Sequence, residues 1–90
     1  MPNVEFTDIL RRFFPDLKPS VSPEGSLYDV VMHLDTLYPG LRRYILDDQG
    51  DVRKHVAVAV NGAFVREKGA RTIMLDKDAN VLILQALSGG

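Results

Sequence analysis

The hydrophobic positions that follow Ser26 recur with the period of an α-helix. Apolar residues stand at i, i+3, i+4, i+7, i+10 and i+11 from Leu27, which predicts a helix with one buried face. Ser26 suits the N-cap, with Asp29 three residues later. Pro39-Gly40 ends this helix, because a residue before proline is biased away from helical backbone angles. A short second helix is predicted over Leu41 to Leu46.

Two short strands are predicted before the main helix. Val4 to Thr7 alternates apolar and polar residues, as a half-buried strand does. Leu17 to Ser22 forms a second strand in this interpretation. Pro19 confines it to the edge of a sheet, because proline cannot donate to the hydrogen-bond ladder.

Three β segments are predicted after the helices. His55 to Val60 favours a strand, and Asn61-Gly62 is the two-residue signal for a tight hairpin into Ala63 to Val65. Ile73 to Leu75 leads to a polar turn, and Val81 to Leu87 forms the final strand. The predicted order of elements is therefore β, β, α, β, β, β.

The last strand is apolar on both faces, although one main helix can cover only one face of a sheet. Val81 and Ile83 point to one side, and the leucines between and after them point to the other. One interpretation is a two-sided core, completed by the short helix, by the loop Asp47 to Asp51, or by tolerated exposed leucines. The alternative is a docking patch for a protein partner. The patch residues would be Leu82, Leu84, Ala57 and Ala59.

Composition excludes several classes of function. The net charge is −1 and the basic residues are spread along the chain, so neither nucleic-acid binding nor a membrane-binding patch is indicated. Cysteine is absent, which excludes disulfides, thiolate nucleophiles and cysteine-based metal sites. No apolar run is long enough to span a membrane, and the first residues lack the regions of a signal peptide. A cytoplasmic location is the resulting expectation.

Other polar residues are better explained as solvated groups. His33 and His55 are the two histidines, and no further ligands suggest a shared metal site. The loop Asp47 to Asp51 lacks the spacing and the final glutamate of a calcium-binding loop. Arg11-Arg12 and Arg42-Arg43 could meet an acidic partner, although paired surface arginines are more often simply solvated.

The sequence closes with Ser88-Gly89-Gly90. Glycine has no side chain, so two glycines can lie extended and pass through a channel too narrow for other residues. The carboxylate of Gly90 would then be the group most easily delivered to a partner. A carboxylate resists nucleophiles until its oxygen becomes a leaving group, which an acyl-adenylate formed with ATP would provide. Alone, a glycine pair is a weak signal, because glycine-rich ends are common.

Four segments of the second half make the glycine pair more informative, because together they resemble the MoaD/ThiS family of sulfur carriers. The segments are Val60-Asn61-Gly62, Val65-Arg66, Val81 to Leu84 and Leu87 to Gly90. The resemblance implies the ubiquitin-like β-grasp fold, an α+β arrangement in which a mixed sheet of four or five strands packs on one main helix. Residues 1–87 would form this domain, and residues 88–90 would form a flexible tail.

The resemblance also implies the roles of the last residues. Gly90 would be adenylated by an E1-like enzyme of the MoeB/ThiF kind, which uses ATP, and then converted to a thiocarboxylate. Gly89 would be the slim neighbour in that enzyme's channel, Ser88 a small polar spacer, and Leu84 part of the docking surface. A biosynthetic enzyme would accept the sulfur. The protein would thus be a carrier that binds no cofactor itself, and not an enzyme.

The chain departs from the family pattern at two places. Asp78-Ala79-Asn80 stands where the family typically has a Gly-Asp-Glu turn, and Gln85-Ala86 where it has a proline pair. Other segments are similar to carriers of the CysO type, which serve a thiocarboxylate route to cysteine. They are Tyr38-Pro39-Gly40, Asp47 to Asp51 and Arg53 to Val65. Two alternatives stay open: a modifier joined through Gly90 to lysine amines, and a passive module that docks through its apolar sheet face.

Overall fold

The part of the chain that the structure describes folds into a five-stranded sheet, a two-stranded ribbon and three α-helices. The computed structural model describes residues 1–85. The strands are β1 (Asn3–Phe6), β2 (Ser20–Val21), β3 (Gly25–Ser26), β4 (Val56–Val60), β5 (Ala63–Phe64), β6 (Met74–Leu75) and β7 (Asn80–Gln85). The helices are α1 (Asp8–Arg11), α2 (Leu27–Leu37) and α3 (Leu41–Ile45), with a 3-10 turn at Ala70–Thr72.

The five-stranded sheet has the order β2-β1-β7-β4-β5. β1 and β7 are parallel, and the other neighbouring strands are antiparallel. The last strand along the chain therefore lies at the centre of the sheet, with a hydrogen-bonded neighbour on each side. This is the mixed sheet that the sequence predicts.

The core lies on one face of this sheet. Val81 and Ile83 of β7 are 2% and 0% exposed, and they belong to the same cluster as Leu34 of α2. Leu41 and Ile45 of α3 join that cluster and are fully buried. The short helix therefore adds to the core on the side of α2, and not to the opposite face.

Hydrogen bonds at both ends of α2 follow from the local sequence. The Oγ of Ser26 accepts from the N–H of Asp29, and the N–H of Ser26 donates to the carboxylate of Asp29. This capping box was predicted. At the other end, Oδ1 of Asp35 accepts from the N–H groups of Gly40 and Arg42, at 3.1 and 3.0 Å. A side chain of α2 thus satisfies the free amides at the start of α3.

The predicted hairpin is confirmed. Asn61 and Gly62 have φ angles of 51° and 86° and join β4 to β5. Two successive left-handed residues define the turn type that suits the twist of a hairpin. β5 ends at Phe64, one residue before the predicted end, although the N–H of Val65 still donates to the carbonyl of Val58 at 2.9 Å.

Several predicted strands differ from the observed ones in extent or partner. Leu17 to Ser22 shortens to β2, because Pro19 and Pro23 flank it and neither can donate a backbone hydrogen bond. The predicted strand Ile73 to Leu75 shortens to β6 (Met74–Leu75), which pairs with β3 in a separate ribbon. The sequence did not predict β3 or α1. The final strand is observed to Gln85, and the last two predicted residues lie outside the described part.

Candidate docking face and tail exit

One face of the sheet points away from the helices, and we call it the docking face. It carries the four residues of the predicted docking patch. Ala57 lies opposite Leu84 and Ala59 lies opposite Leu82 in the antiparallel register of β4 and β7. Directly opposed residues of such a pair project to the same side of the sheet. Leu82, Leu84 and Ala57 are partly exposed, whereas Ala59 is 8% exposed. The structure therefore brings all four side chains together.

Phe64 extends this face, although it was not among the residues predicted for the docking patch. It lies opposite Ala59 and is 68% exposed. The small Ala59 is covered because Leu82 and Phe64 flank it on the two neighbouring strands. The signal was available, since residues equidistant from a two-residue turn face each other across a hairpin. On the other side Leu82 lies next to Glu5, so the apolar strip ends at a carboxylate.

A shallow groove of about 220 Å³ opens on this face near the hairpin. Ala59 and Leu82 supply its apolar part. An apolar centre with a polar border is the common anatomy of protein–protein contacts. The remaining lining residues are Asn3, Glu5, Gly62, Asn80 and Val81.

Nothing within residues 1–85 adds a second core to this face. The buried cluster contains Val56, Val58, Val81 and Ile83, which alternate along their strands with the docking-face residues. The short helix contributes to that cluster and not to the outer face. The described residues thus leave this apolar face uncovered, which agrees both with a docking patch and with tolerated exposed leucines.

The loop Asp47 to Asp51 is a polar turn, as the sequence indicates. Oδ1 of Asp47 accepts from the N–H groups of Gln49 and Asp51, at 2.9 and 3.0 Å. Across residues 1–85, no group of three His, Asp or Glu side chains is arranged to hold a metal ion. No helix in that part of the chain is long and apolar enough to cross a membrane.

The described part of the chain ends at the edge of the sheet where β1 ends and β4 begins. Gln85, the last residue of β7, lies opposite Val56, and its N–H points to Oγ1 of Thr7 at 3.5 Å. We call this edge the tail exit. Ser88, Gly89 and Gly90 follow it in sequence and lie outside the described residues. The docking face thus borders the tail exit, because Leu84 directly precedes Gln85.

Comparisons with known proteins bear on the family and the fold of this chain. The profile of the ThiS family matches residues 4–90. A comparison with curated protein sequences finds no significant match. The family match includes every strand of the central sheet and continues through the terminal glycines.

Several solved structures share the whole fold. A chain of the Amycolatopsis orientalis BexX/CysO complex superposes with a TM-score of 0.84 at 19% identity, and all of both chains is covered. Mycobacterium tuberculosis CysO gives 0.81 at 25% identity, covering 97% of this chain and 100% of that one. Haloferax volcanii SAMP1 gives 0.71 at 16% identity, covering 99% and 98%.

These likenesses identify the mixed sheet on one main helix as the ubiquitin-like β-grasp fold, as the sequence predicts. The family match spans nearly all of the sequence. The chain belongs to the ThiS family of ubiquitin-like sulfur carriers.

Proposed function

We propose that this protein carries sulfur on the carboxylate of Gly90. The observation that supports this most directly is the extent of the ThiS family match, from residue 4 to residue 90. It includes both the sheet with the uncovered apolar face and the Ser88-Gly89-Gly90 segment. The two parts have different roles: the sheet face docks the enzymes, and the glycine segment is the substrate.

The chemistry needs an activating enzyme, because the carboxylate itself has no leaving group. An E1-like adenylating enzyme of the MoeB/ThiF kind joins a carboxylate oxygen of Gly90 to the α-phosphorus of ATP and releases pyrophosphate. A sulfur nucleophile then attacks the acyl carbon, AMP leaves, and the thiocarboxylate remains. A second enzyme takes the sulfur for the biosynthesis of a cofactor or of cysteine. ATP is bound by the activating enzyme.

The position of the docking face suits this delivery. Leu84 lies one residue before the tail exit, so an enzyme that contacts Leu84 also receives the segment that follows Gln85. Five residues after Gln85 span at most about 17 Å when fully extended. Gly90 can therefore reach an active site within that distance of Gln85 without unfolding of the sheet. Glycine at the last two positions allows passage through a narrow channel.

Intact-protein mass spectrometry tests the proposal. The protein is incubated with the adenylating enzyme of the same genome, ATP and a sulfide source. Its mass should rise by roughly 16 Da, because sulfur replaces one oxygen of the carboxylate. Omission of ATP and deletion of Gly90 should each abolish the shift. An unchanged mass in the complete reaction would contradict the proposal.

The same experiment separates the carrier from a protein modifier. In a modifier the adenylate, or a thioester derived from it, is attacked by a lysine amine, so the product is an isopeptide. Immunoblots of cell lysate would then show a ladder of larger conjugates that disappears when Gly90 is deleted. A single free band, together with the mass shift, supports the carrier.

A further inference from the structure

Four basic residues stand on α3 and on the turn before β4, the strand whose first residue lies opposite Gln85, and we call them the basic rim: Arg42, Arg43, Arg53 and Lys54. The first two belong to α3, and the other two lie in the turn that precedes β4. The N–H of Arg53 donates to the carbonyl of Ile45 at 2.9 Å, which fixes this turn against the end of α3. The basic rim is therefore continuous across two elements.

The basic rim is tied to the end of the central strand by backbone pairing. The carbonyl of Arg53 accepts from the N–H of Val56 at 3.0 Å, and Val56 lies opposite Gln85. The turn that carries Arg53 and Lys54 thus stands beside the point where β7 ends. Any enzyme that takes up the segment after Gln85 has to approach this turn.

The guanidinium groups of the basic rim are not neutralised within the described residues. Arg42, Arg43 and Arg53 line one cavity of about 390 Å³ with Asp47 and Asp48. No ion pair joins them, since the ion pair found in residues 1–85 is the one between Arg11 and Asp8.

The two acidic residues of the cavity offset the basic rim only in part, because they face three arginines. Oδ1 of Asp47 is already occupied by two backbone N–H groups of its own turn. Nε of Arg42 is buried and has no hydrogen-bond partner in the described part of the chain. A buried donor without an acceptor costs free energy.

Aromatic rings next to the basic rim indicate that its partner is a protein surface. Phe13 stacks on Tyr44, with ring centroids 4.8 Å apart, and Phe14 meets Tyr44 edge-on at 5.4 Å. Phe13 is 53% exposed, and Tyr44 directly follows Arg43. Aromatic residues and arginine are the types enriched in protein–protein contacts. The exposed ring of Phe13 would not contribute to the binding of a small free anion, whereas it would add contact area with a protein.

We propose that the basic rim binds acidic side chains beside the channel of the adenylating enzyme that receives Gly90. This inference rests on the proposed function, which requires such a channel. The sheet face supplies apolar contact, while the basic rim orients the carrier so that its tail exit faces the enzyme. Complementary charge of this kind acts mainly on the rate of association.

A charge-reversal experiment with a matched control tests the basic rim. Arg43→Glu and Arg53→Glu each change the net charge by two units at the tail exit. Lys77→Glu makes the same change in the turn before β7, at the far end of that strand. All three side chains are exposed, so the urea midpoint of unfolding should stay the same. The measured quantity is kcat/KM for the carrier in ATP–pyrophosphate exchange by the adenylating enzyme of the same genome.

At about 0.05 M salt, each variant of the basic rim should lower kcat/KM about tenfold, and Lys77→Glu should stay within about twofold of the wild type. The difference should shrink at about 0.5 M salt, where exposed charges are screened over a few ångströms. Equal losses for Arg43→Glu and Lys77→Glu would overturn the proposal, because net charge alone would then explain them. A tenfold loss of kcat/KM that is the same at both salt concentrations would overturn the proposal as well.

The wild-type reaction separates this inference from the proposed function. If the wild-type protein supports no exchange, the proposed function fails, and the role of the basic rim fails with it. If the wild type supports exchange and the variants of the basic rim equal it at low salt, only the role of the basic rim fails.

Discussion

Asn61 and Asn80 exchange two hydrogen bonds just beyond the end of β4. The N–H of Asn61 donates to the carbonyl of Asn80 at 2.7 Å, and Oδ1 of Asn61 accepts from the N–H of Asn80 at 2.9 Å. The second bond uses a side chain where the ladder of β4 and β7 would use a carbonyl. Asn61 therefore adopts the left-handed turn conformation and also pairs the hairpin with the central strand.

Asn61→Ala should lower the free energy of unfolding by about 1–2 kcal/mol, because it removes one hydrogen bond and the short polar side chain that makes asparagine tolerant of the left-handed region. Asn61→Asp keeps the acceptor oxygen and tolerates the same backbone angles, so its loss should stay within about 0.5 kcal/mol. Urea denaturation measures both. Equal losses for the two variants would show that the side-chain bond contributes nothing.

Adjacent residues of β7 should respond differently to truncation, because they lie on opposite faces. Ile83 is fully buried in the core, and Ile83→Ala should cost about 2–4 kcal/mol of unfolding free energy. Leu82 is partly exposed on the docking face, and Leu82→Ala should cost less than about 1.5 kcal/mol. A Leu82→Ala loss as large as that of Ile83→Ala would mean that the outer face is covered.

Leu84→Glu should impair docking and leave the fold intact. A charge placed in the apolar strip beside the tail exit should lower kcat/KM for pyrophosphate exchange about tenfold or more, while the urea midpoint changes little. Val21→Glu is the matched control. Val21 lies on the same face but on the edge strand β2, where it is 50% exposed. An equal effect of both substitutions would argue against a docking site centred on Leu84.

Asp35→Ala should destabilise the start of α3. It leaves the N–H groups of Gly40 and Arg42 without their shared acceptor, which should cost about 1–2 kcal/mol of unfolding free energy. Asp35→Asn keeps an acceptor oxygen and should lose less. Amide hydrogen exchange provides the site-specific measurement, since exchange at Gly40 and Arg42 should accelerate in Asp35→Ala. Unchanged exchange at both amides would contradict the capping role.

Local patterns predicted the elements whose signals lie close together in sequence. The helix after Ser26 and the turn at Asn61-Gly62 each combine a periodic apolar pattern with a specific cap or turn residue, so both were found. The ribbon of β3 and β6 was not predicted. Gly25–Ser26 is too short to alternate, and its partner Met74–Leu75 lies about fifty residues away, so only tertiary pairing defines it.

The residues of the candidate site also divide into those that local patterns predict and those that only tertiary contacts define. Alternation in the last strand was enough to place Leu82 and Leu84 on one face, and their alignment with Ala57 and Ala59 is now visible in the register. Phe64 was not predicted, although it forms the second residue pair outward from the Asn61-Gly62 turn, where it lies opposite Ala59. Asp35 was missed because its bonds reach into the next helix, and no local pattern in α2 indicates that.

The central position of β7 also determines how the domain resists force. A pull on the segment beyond Gln85 acts along β7, which is held by β1 on one side and β4 on the other. The ladder bonds run across the strand, so such a pull loads many of them together in shear and does not open them one at a time. A pull applied beyond Gln85 is therefore resisted by both neighbouring strands at once.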